Sequence, residues 1–191
     1  VCGASRASLM SGCRPETTNC WDYKTLLRSR MPDVLSLPQH FRNCGYETSF
    51  LGKVSHSPSD DPQGWSLRAE SWAPKVKGKG LGYVKTPYHK RIAHPNIPNL
   101  KHGPATENGG DVADDAYTDG HNAERAVELI RRFSEHDKPF FLAVGFIKPH
   151  LPFVAPGKYW DLYDRDSIQV PPREDVVGGV PYARSSWGEL K

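Results

Sequence analysis

No stretch of this sequence approaches the roughly 18 consecutive apolar residues that a membrane-spanning helix needs, so no membrane span is expected. Cysteine is scarce: Cys2, Cys13, Cys20 and Cys44 are the four in 191 residues, and their spacing makes neither a CxxC pair nor a familiar zinc pattern. One disulfide among the last three and a set of buried free thiols both remain open. Charge of one sign is nearly absent as a surplus, because 25 basic residues face 22 acidic ones for a net +3. That imbalance is too small to imply a nucleic-acid partner. No internal repeat and no low-complexity segment occurs, and no signal peptide is visible. The chain opens inside a motif, at Val1-Cys2-Gly3, and reads as a fragment truncated at both ends.

What is present suits a soluble globular domain. The length allows one sizeable core, and 17 Gly with 17 Pro imply long and numerous loops. Ser5 to Ser11 reads as a short helix, with Ser5 able to cap its start and Gly12 suited to the left-handed position after its end. Leu37 to Cys44 reads as a helix with Pro38 in its first turn and Gly45 beyond it. Tyr46 to Leu51 reads as a short strand running into Gly52-Lys53. From Ser57 to about Asp115 no period is visible, and this loop-rich stretch reads as an insertion or lid around 57–115. Within it Lys75, Lys77, Lys79, Lys85, Lys90 and Arg91 cluster, as a solvated loop or a rim that attracts polyanions. His89, His94 and His102 there are adequately explained as surface residues.

Ala116 to His136 holds the clearest helical period, with Ala123, Ala126, Val127, Ile130 and Phe133 on one face. The apolar run Phe140 to Phe146 follows and reads as a strand covered on both faces. After Pro149 the chain reads as irregular. Helix followed by buried strand implies a βαβ arrangement, and so an α/β fold: a mostly parallel sheet flanked by helices. Ligands of such sheets bind beyond the carboxyl ends of the strands. Lys53 and His56 follow one strand, and Lys148 and His150 follow the other, so the topology predicts four anion-binding or acid–base side chains on one edge.

The opening segment, Cys2-Gly3-Ala4-Ser5-Arg6-Ala7-Ser8-Leu9-Met10-Ser11-Gly12, carries the chemistry. A cysteine just before a helix start sits where backbone N–H groups and the helix dipole favour negative charge. Arg6 adds a fixed cation one turn on. A thiolate nucleophile for an anionic ester is the reading that the residues give by themselves.

The same segment resembles the signature of the sulfatases, Cys-x-Pro/Ala-Ser-Arg closed by Leu/Met-Thr/Ser-Gly. Further matches follow in order: Gly12-Cys13-Arg14-Pro15-Glu16-Thr17-Thr18, then Leu37 to Phe41 with Cys44-Gly45-Tyr46, then Gly52-Lys53-Val54-Ser55-His56, then Lys148-Pro149-His150-Leu151-Pro152-Phe153. The chain is most similar to the iduronate-2-sulfatase group and its bacterial relatives. The resemblance implies an alkaline-phosphatase-like fold, with residues 1–191 as part of an N-terminal catalytic domain. It implies that Cys2 is oxidised to formylglycine by a formylglycine-generating enzyme and that a hydroxyl of the hydrated aldehyde attacks sulfur. It further implies Ca2+ as Lewis acid, bound through the formylglycine at Cys2 and through ligands outside this chain. Arg6 would hold the nucleophile, Lys53 would bind a sulfate oxygen, His56 would deprotonate the diol, and His150 would act as general acid and contact substrate. Lys148 would contact substrate too. Most members have Pro where this chain has Ala4, and the oxidising enzyme reads that position.

The expected substrate is a sulfate ester of a sulfated carbohydrate, in the periplasm or outside the cell if bacterial and in the lysosome if animal. The alternatives are a phosphonate monoester hydrolase or phosphodiesterase of the same superfamily, a non-catalytic glycan-binding relative, and a basic nucleic-acid module resting only on Lys75 to Arg91. Asp111, Asp114, Asp115 and Asp119 fit no EF-hand spacing and read as a solvated turn. Asp60-Asp61 and Asp114-Asp115 lie away from the family's metal-binding positions. The chain alone is therefore expected not to turn over sulfate esters, and an absent strand before Cys2 is expected to leave apolar surface exposed.

Overall fold

The computed structural model of the protein describes residues 2–56, 61–67, 106–108, 110–150 and 153–170. The Lys75–Arg91 cluster and His89, His94 and His102 lie outside them. The chain divides into two compact units: residues 1–86 with 113–150, and residues 87–112 with 151–191.

The first unit is built on two parallel strands, β1 (Glu47–Gly52) and β3 (Phe140–Gly145), in register from Glu47 opposite Phe140 to Gly52 opposite Gly145. Between them in sequence runs α5 (Thr118–Ser134), so the expected βαβ order is present. A parallel pair places both carboxyl ends on one edge. There the main chain continues the pairing, with Lys53 N–H donating to the Gly145 carbonyl at 2.7 Å.

The helix α1 spans Cys2–Ser11, three residues earlier than the local signals suggest. Ser5 is thus inside the helix and is not its cap. Gly3, Ala4, Ala7 and Met10 form the buried stripe. Ala7 and Met10 join Cys20, Leu27, Phe50 and Val54 in one buried cluster, with Met31, Val34, Trp65 and Ala143 against it. Short helices α2 (Pro15–Thr18) and α3 (Leu27–Arg30) follow. The helix α4 (Leu37–Asn43) behaves as its sequence dictates. Ser36 caps it by accepting the Gln39 N–H at 3.3 Å, Pro38 sits in the first turn, and Gly45 beyond it takes a positive φ of 87°.

Aromatic packing locks the sheet to its helices. Phe41 of α4 stacks on Phe141 with centroids 4.5 Å apart, and Phe133 of α5 packs on Phe140 at 5.2 Å. Residues 61–67, at the start of the expected loop-rich insertion, run beside β1. Ser66 and Leu67 N–H groups both donate to the Thr48 carbonyl, and the Thr48 hydroxyl donates to the Gly64 carbonyl. Arg28 and the buried Asp61 pair at 2.7 Å, and the Ser36 hydroxyl donates to the same carboxylate.

Three expectations are corrected here. The strand β3 is not covered on both faces: Val144 is exposed and Phe140 to Ala143 are half-buried. Its apolar run sets the strand, but what covers each face is decided by distant elements. The buried stripe of α5 is Thr118, Asn122, Ala126 and Phe133, whereas Val127 and Ile130 are each 47% exposed. The helix is rotated from the expected face because its first turn packs on the strand ends. Residues after Pro149 and before Asp115 are not wholly irregular either. In the second unit β2 (Thr106–Asn108) pairs parallel with β4 (Phe153–Ala155), and α6 (Gly157–Trp160) follows. Strands of three residues carry no readable period. The four cysteines are all free, with Cys20 buried and Cys2 exposed.

Candidate active site

Cys2 is the first residue of α1, in the turn whose N–H groups have no partner within the helix. The placement differs from a cysteine ahead of the helix, yet the dipole argument holds because the first turn carries the positive end. Gly3 behind it is needed for close approach. A Cβ there would lie 2.4 Å from the Asp22 carbonyl oxygen and 2.7 Å from Tyr23 Cα. The chain at Asp22-Tyr23 therefore passes directly against the first turn of α1.

Arg6, one turn along, reaches across to the end of β1. Its guanidinium donates to the Lys53 carbonyl, and to the Val54 carbonyl at 2.8 Å. Burial lowers the Arg6 pKa, and Cys2 acts in the opposite direction, raising it. Arg6 thus joins the nucleophile helix to the Gly52-Lys53-Val54 turn. Lys53 itself is buried at 9% exposure.

His56 stands against Tyr23, with ring centroids 5.4 Å apart and planes tilted by 50°. Burial lowers its pKa below the ordinary 6.5, and the charges of Lys53, Arg6 and His150 lower it further, while a hydrogen bond with the Tyr23 backbone opposes them. Arg6, Lys53 and His150 all act electrostatically on His56, as Cys2 does on Arg6, and Arg6 is bonded to the Lys53 and Val54 carbonyls. Five sequence-predicted residues from three separate segments are brought to one edge of the sheet.

The sixth, Lys148, is half-buried, and its ammonium donates to the His150 carbonyl at 3.2 Å. Burial lowers its pKa and Asp119 raises it. Asp119 was grouped above with a solvated turn, and the structure gives it a different place. Its carboxylate accepts the N–H of Ile147 at 2.9 Å and of Lys148 at 2.8 Å. Only its position in the first turn of α5 could have signalled it. Asn122, one turn on, is also buried, against Gly52. Asp111, Asp114 and Asp115 are exposed, as a solvated turn requires.

The sulfatase family model matches residues 1–174. This chain belongs to the sulfatase family. Over its whole length it is 29% identical to human iduronate 2-sulfatase and 31% identical to the mouse protein of the same name, covering 34% of each. A sulfatase of Formosa agariphila is 31% identical over 95% of the chain, which covers 36% of that protein. The chain therefore spans about a third of the length of these curated relatives. Membership carries with it the alkaline-phosphatase-like α/β fold. Among the described residues no helix is long and apolar enough to cross a membrane.

Two groups implied by family membership can be tested against this edge. An exposed Cys2 at a helix start beside Arg6 fits a formylglycine. Calcium takes roughly six to eight oxygen ligands, and among the described residues no three His, Cys, Asp or Glu side chains come together to hold a metal ion. The fixed charges near Cys2, Arg6 and Lys53, are cationic, so these residues alone do not fit that ion.

Proposed function

We propose that this chain supplies the nucleophile and the sulfate-binding cluster of an enzyme that hydrolyses sulfate esters of a carbohydrate. One observation carries the reading: Arg6, Lys53, His56 and His150 converge at the carboxyl ends of two parallel strands, beside a helix that begins at Cys2. The fixed cations Arg6 and Lys53, with two imidazoles able to exchange a proton, suit the tetrahedral monoanionic group of a sulfate ester beside an exposed nucleophile.

Oxidised to formylglycine by a formylglycine-generating enzyme, Cys2 would supply a hydrated-aldehyde hydroxyl as nucleophile in place of its thiol. Arg6 holds the Lys53 turn against α1 and keeps a fixed positive charge beside the nucleophile. Lys53 offsets the charge on a sulfate oxygen. His56, whose pKa is depressed by burial and by its cationic neighbours, stays neutral and is able to accept a proton near neutrality. His150 donates a proton to the departing sugar oxygen. Lys148 folds back, its ammonium donating to the His150 carbonyl, and so shapes the loop that carries His150.

The reading is tested on the complete protein, produced with the oxidising enzyme, by comparing turnover of an aryl sulfate with that of an aryl phosphodiester. Faster sulfate hydrolysis, lost in Cys2→Ala, is the expected result. Preference for the diester would move the protein to phosphodiester chemistry on the same fold. Turnover of neither, with retained binding of sulfated glycan, would establish a binding relative.

A further inference from the structure

The loop after β3 holds two of the site's side chains, yet its main chain leaves the sheet at Gly145 and must be redirected within a few residues. Backbone N–H groups released from a strand need partners, and buried ones rarely lack them. Here the partner for two successive amides is a single side chain. Asp119 Oδ1 accepts from Ile147 N–H at 2.9 Å, and Oδ2 accepts from Ile147 N–H at 3.0 Å and from Lys148 N–H at 2.8 Å. These bonds span 28 and 29 residues, so they couple the first turn of α5 to the loop. Charge-assisted bonds of this kind are shorter and stronger than neutral ones.

We infer that Asp119 is a positioning residue of the active site: by clamping the Ile147 and Lys148 amides it fixes the course of the chain that presents His150 to the Cys2 edge. The inference rests on the proposed sulfatase reading for what His150 does, but its geometric content stands independently. Two further observations support it. Ile147 is itself buried, and the bonds from its amide and that of Lys148 to Asp119 are part-buried. Asn122, one turn beyond Asp119, is buried at 3% exposure and lies against Gly52, so one helical turn backs the ends of both strands. Asp119 also faces the Lys148 ammonium, whose positive charge it favours.

The experiment uses the complete protein and compares Asp119→Ala, Asp119→Asn and a control, Asp115→Ala, which alters an exposed carboxylate on the same segment. Hydrogen exchange of the peptide covering 140–150 is measured alongside kcat and KM. The expected result is faster exchange confined to that peptide in Asp119→Ala, a smaller change in Asp119→Asn, which keeps one acceptor, and none in the control. Turnover is expected to fall about 10²-fold in Asp119→Ala, mostly in kcat, as for a misplacement of about 1 Å. If His150 protonates the leaving oxygen, that loss is larger for an aryl sulfate with a poor leaving group than for 4-nitrophenyl sulfate. Unchanged exchange at 140–150 with unchanged kcat would overturn the inference. Exchange raised equally across β1, α5 and β3, with the same rate loss for both leaving groups, would overturn it too, since Asp119 would then merely stabilise the fold. A complete protein that hydrolyses no sulfate ester would refute the functional reading while the exchange arm still decides the clamp.

Discussion

Replacing Gly145 by alanine should damage this site more than its chemistry suggests. Gly145 ends β3 where the chain of β1 turns into Lys53. A Cβ at Gly145 would lie 2.1 Å from the Lys53 carbonyl oxygen, 2.3 Å from its carbon and 2.7 Å from Val54 N. Ordinary contact begins at 3.4 Å, so the turn must move by about 1.3 Å. All three neighbours are backbone and cannot rotate away. Lys53 N–H would lose its 2.7 Å bond to the Gly145 carbonyl, and the Lys53 carbonyl would withdraw from Arg6. Overpacking costs about 1–3 kcal/mol, and each lost hydrogen bond adds about 1 kcal/mol. A loss of about 3–5 kcal/mol is therefore expected, read as a lower urea midpoint at unchanged slope. Because the displaced residue carries the Lys53 ammonium, turnover should fall by about 10²-fold in protein that remains folded. Val144→Ala, at the neighbouring exposed position, should spare turnover. A Gly145→Ala protein with the parent's urea midpoint and turnover within about twofold would refute the claim that close approach at Gly145 sets the position of Lys53.

Removing one partner of the buried Arg28–Asp61 pair, as Asp61→Ala, should destabilise by about 3–5 kcal/mol, because Arg28 would keep a charge that is shielded from solvent; a denaturant midpoint unchanged from the parent would contradict this. Arg6→Lys should retain charge but cannot reach two carbonyls with one planar group, so kcat is expected to fall although the net charge is the same; equal rates would show that only the charge matters. His56 has a folded-state pKa below its ordinary 6.5, so its contribution to stability is present above about 6.5 and is lost as pH falls through the depressed value. Urea midpoints measured against pH should show that loss in the parent and not in His56→Gln. In protein co-produced with the oxidising enzyme, mass spectrometry of the Cys2 peptide should show the aldehyde, with a larger converted fraction in Ala4→Pro; Cys2 remaining wholly a thiol in an active enzyme would exclude the formylglycine route.

Much of the fold was legible because its signals are local. Ser36, Pro38 and Gly45 delimit α4 through capping, fixed φ and left-handed backbone, each a property of one residue and its neighbours. The apolar run from Phe140 and the helical period before it give a strand after a helix, and parallel pairing follows from that order. The residues proposed for the site were named for a related reason: Cys2, Arg6, Lys53, His56 and His150 stand in short contiguous motifs. That these motifs share one edge followed from the rule that parallel strands end together.

What the sequence alone left undecided depends on contacts between residues tens of positions apart. Ser5 lies inside α1 between the buried Ala4 and Ala7, not at its cap, and that depends on what the helix packs against. The buried stripe of α5 passes through Asn122 and not Val127, because its first turn backs the strand ends. Asp119 and Asp61 both resemble solvated acids in a polar stretch. One becomes the acceptor for two loop amides and the other the partner of Arg28 only when the chain brings residues 28 and 33 positions away beside them. A local preference acts through the backbone of its own segment and is written there. The partner of a buried carboxylate is chosen by packing, and only the tertiary structure holds it.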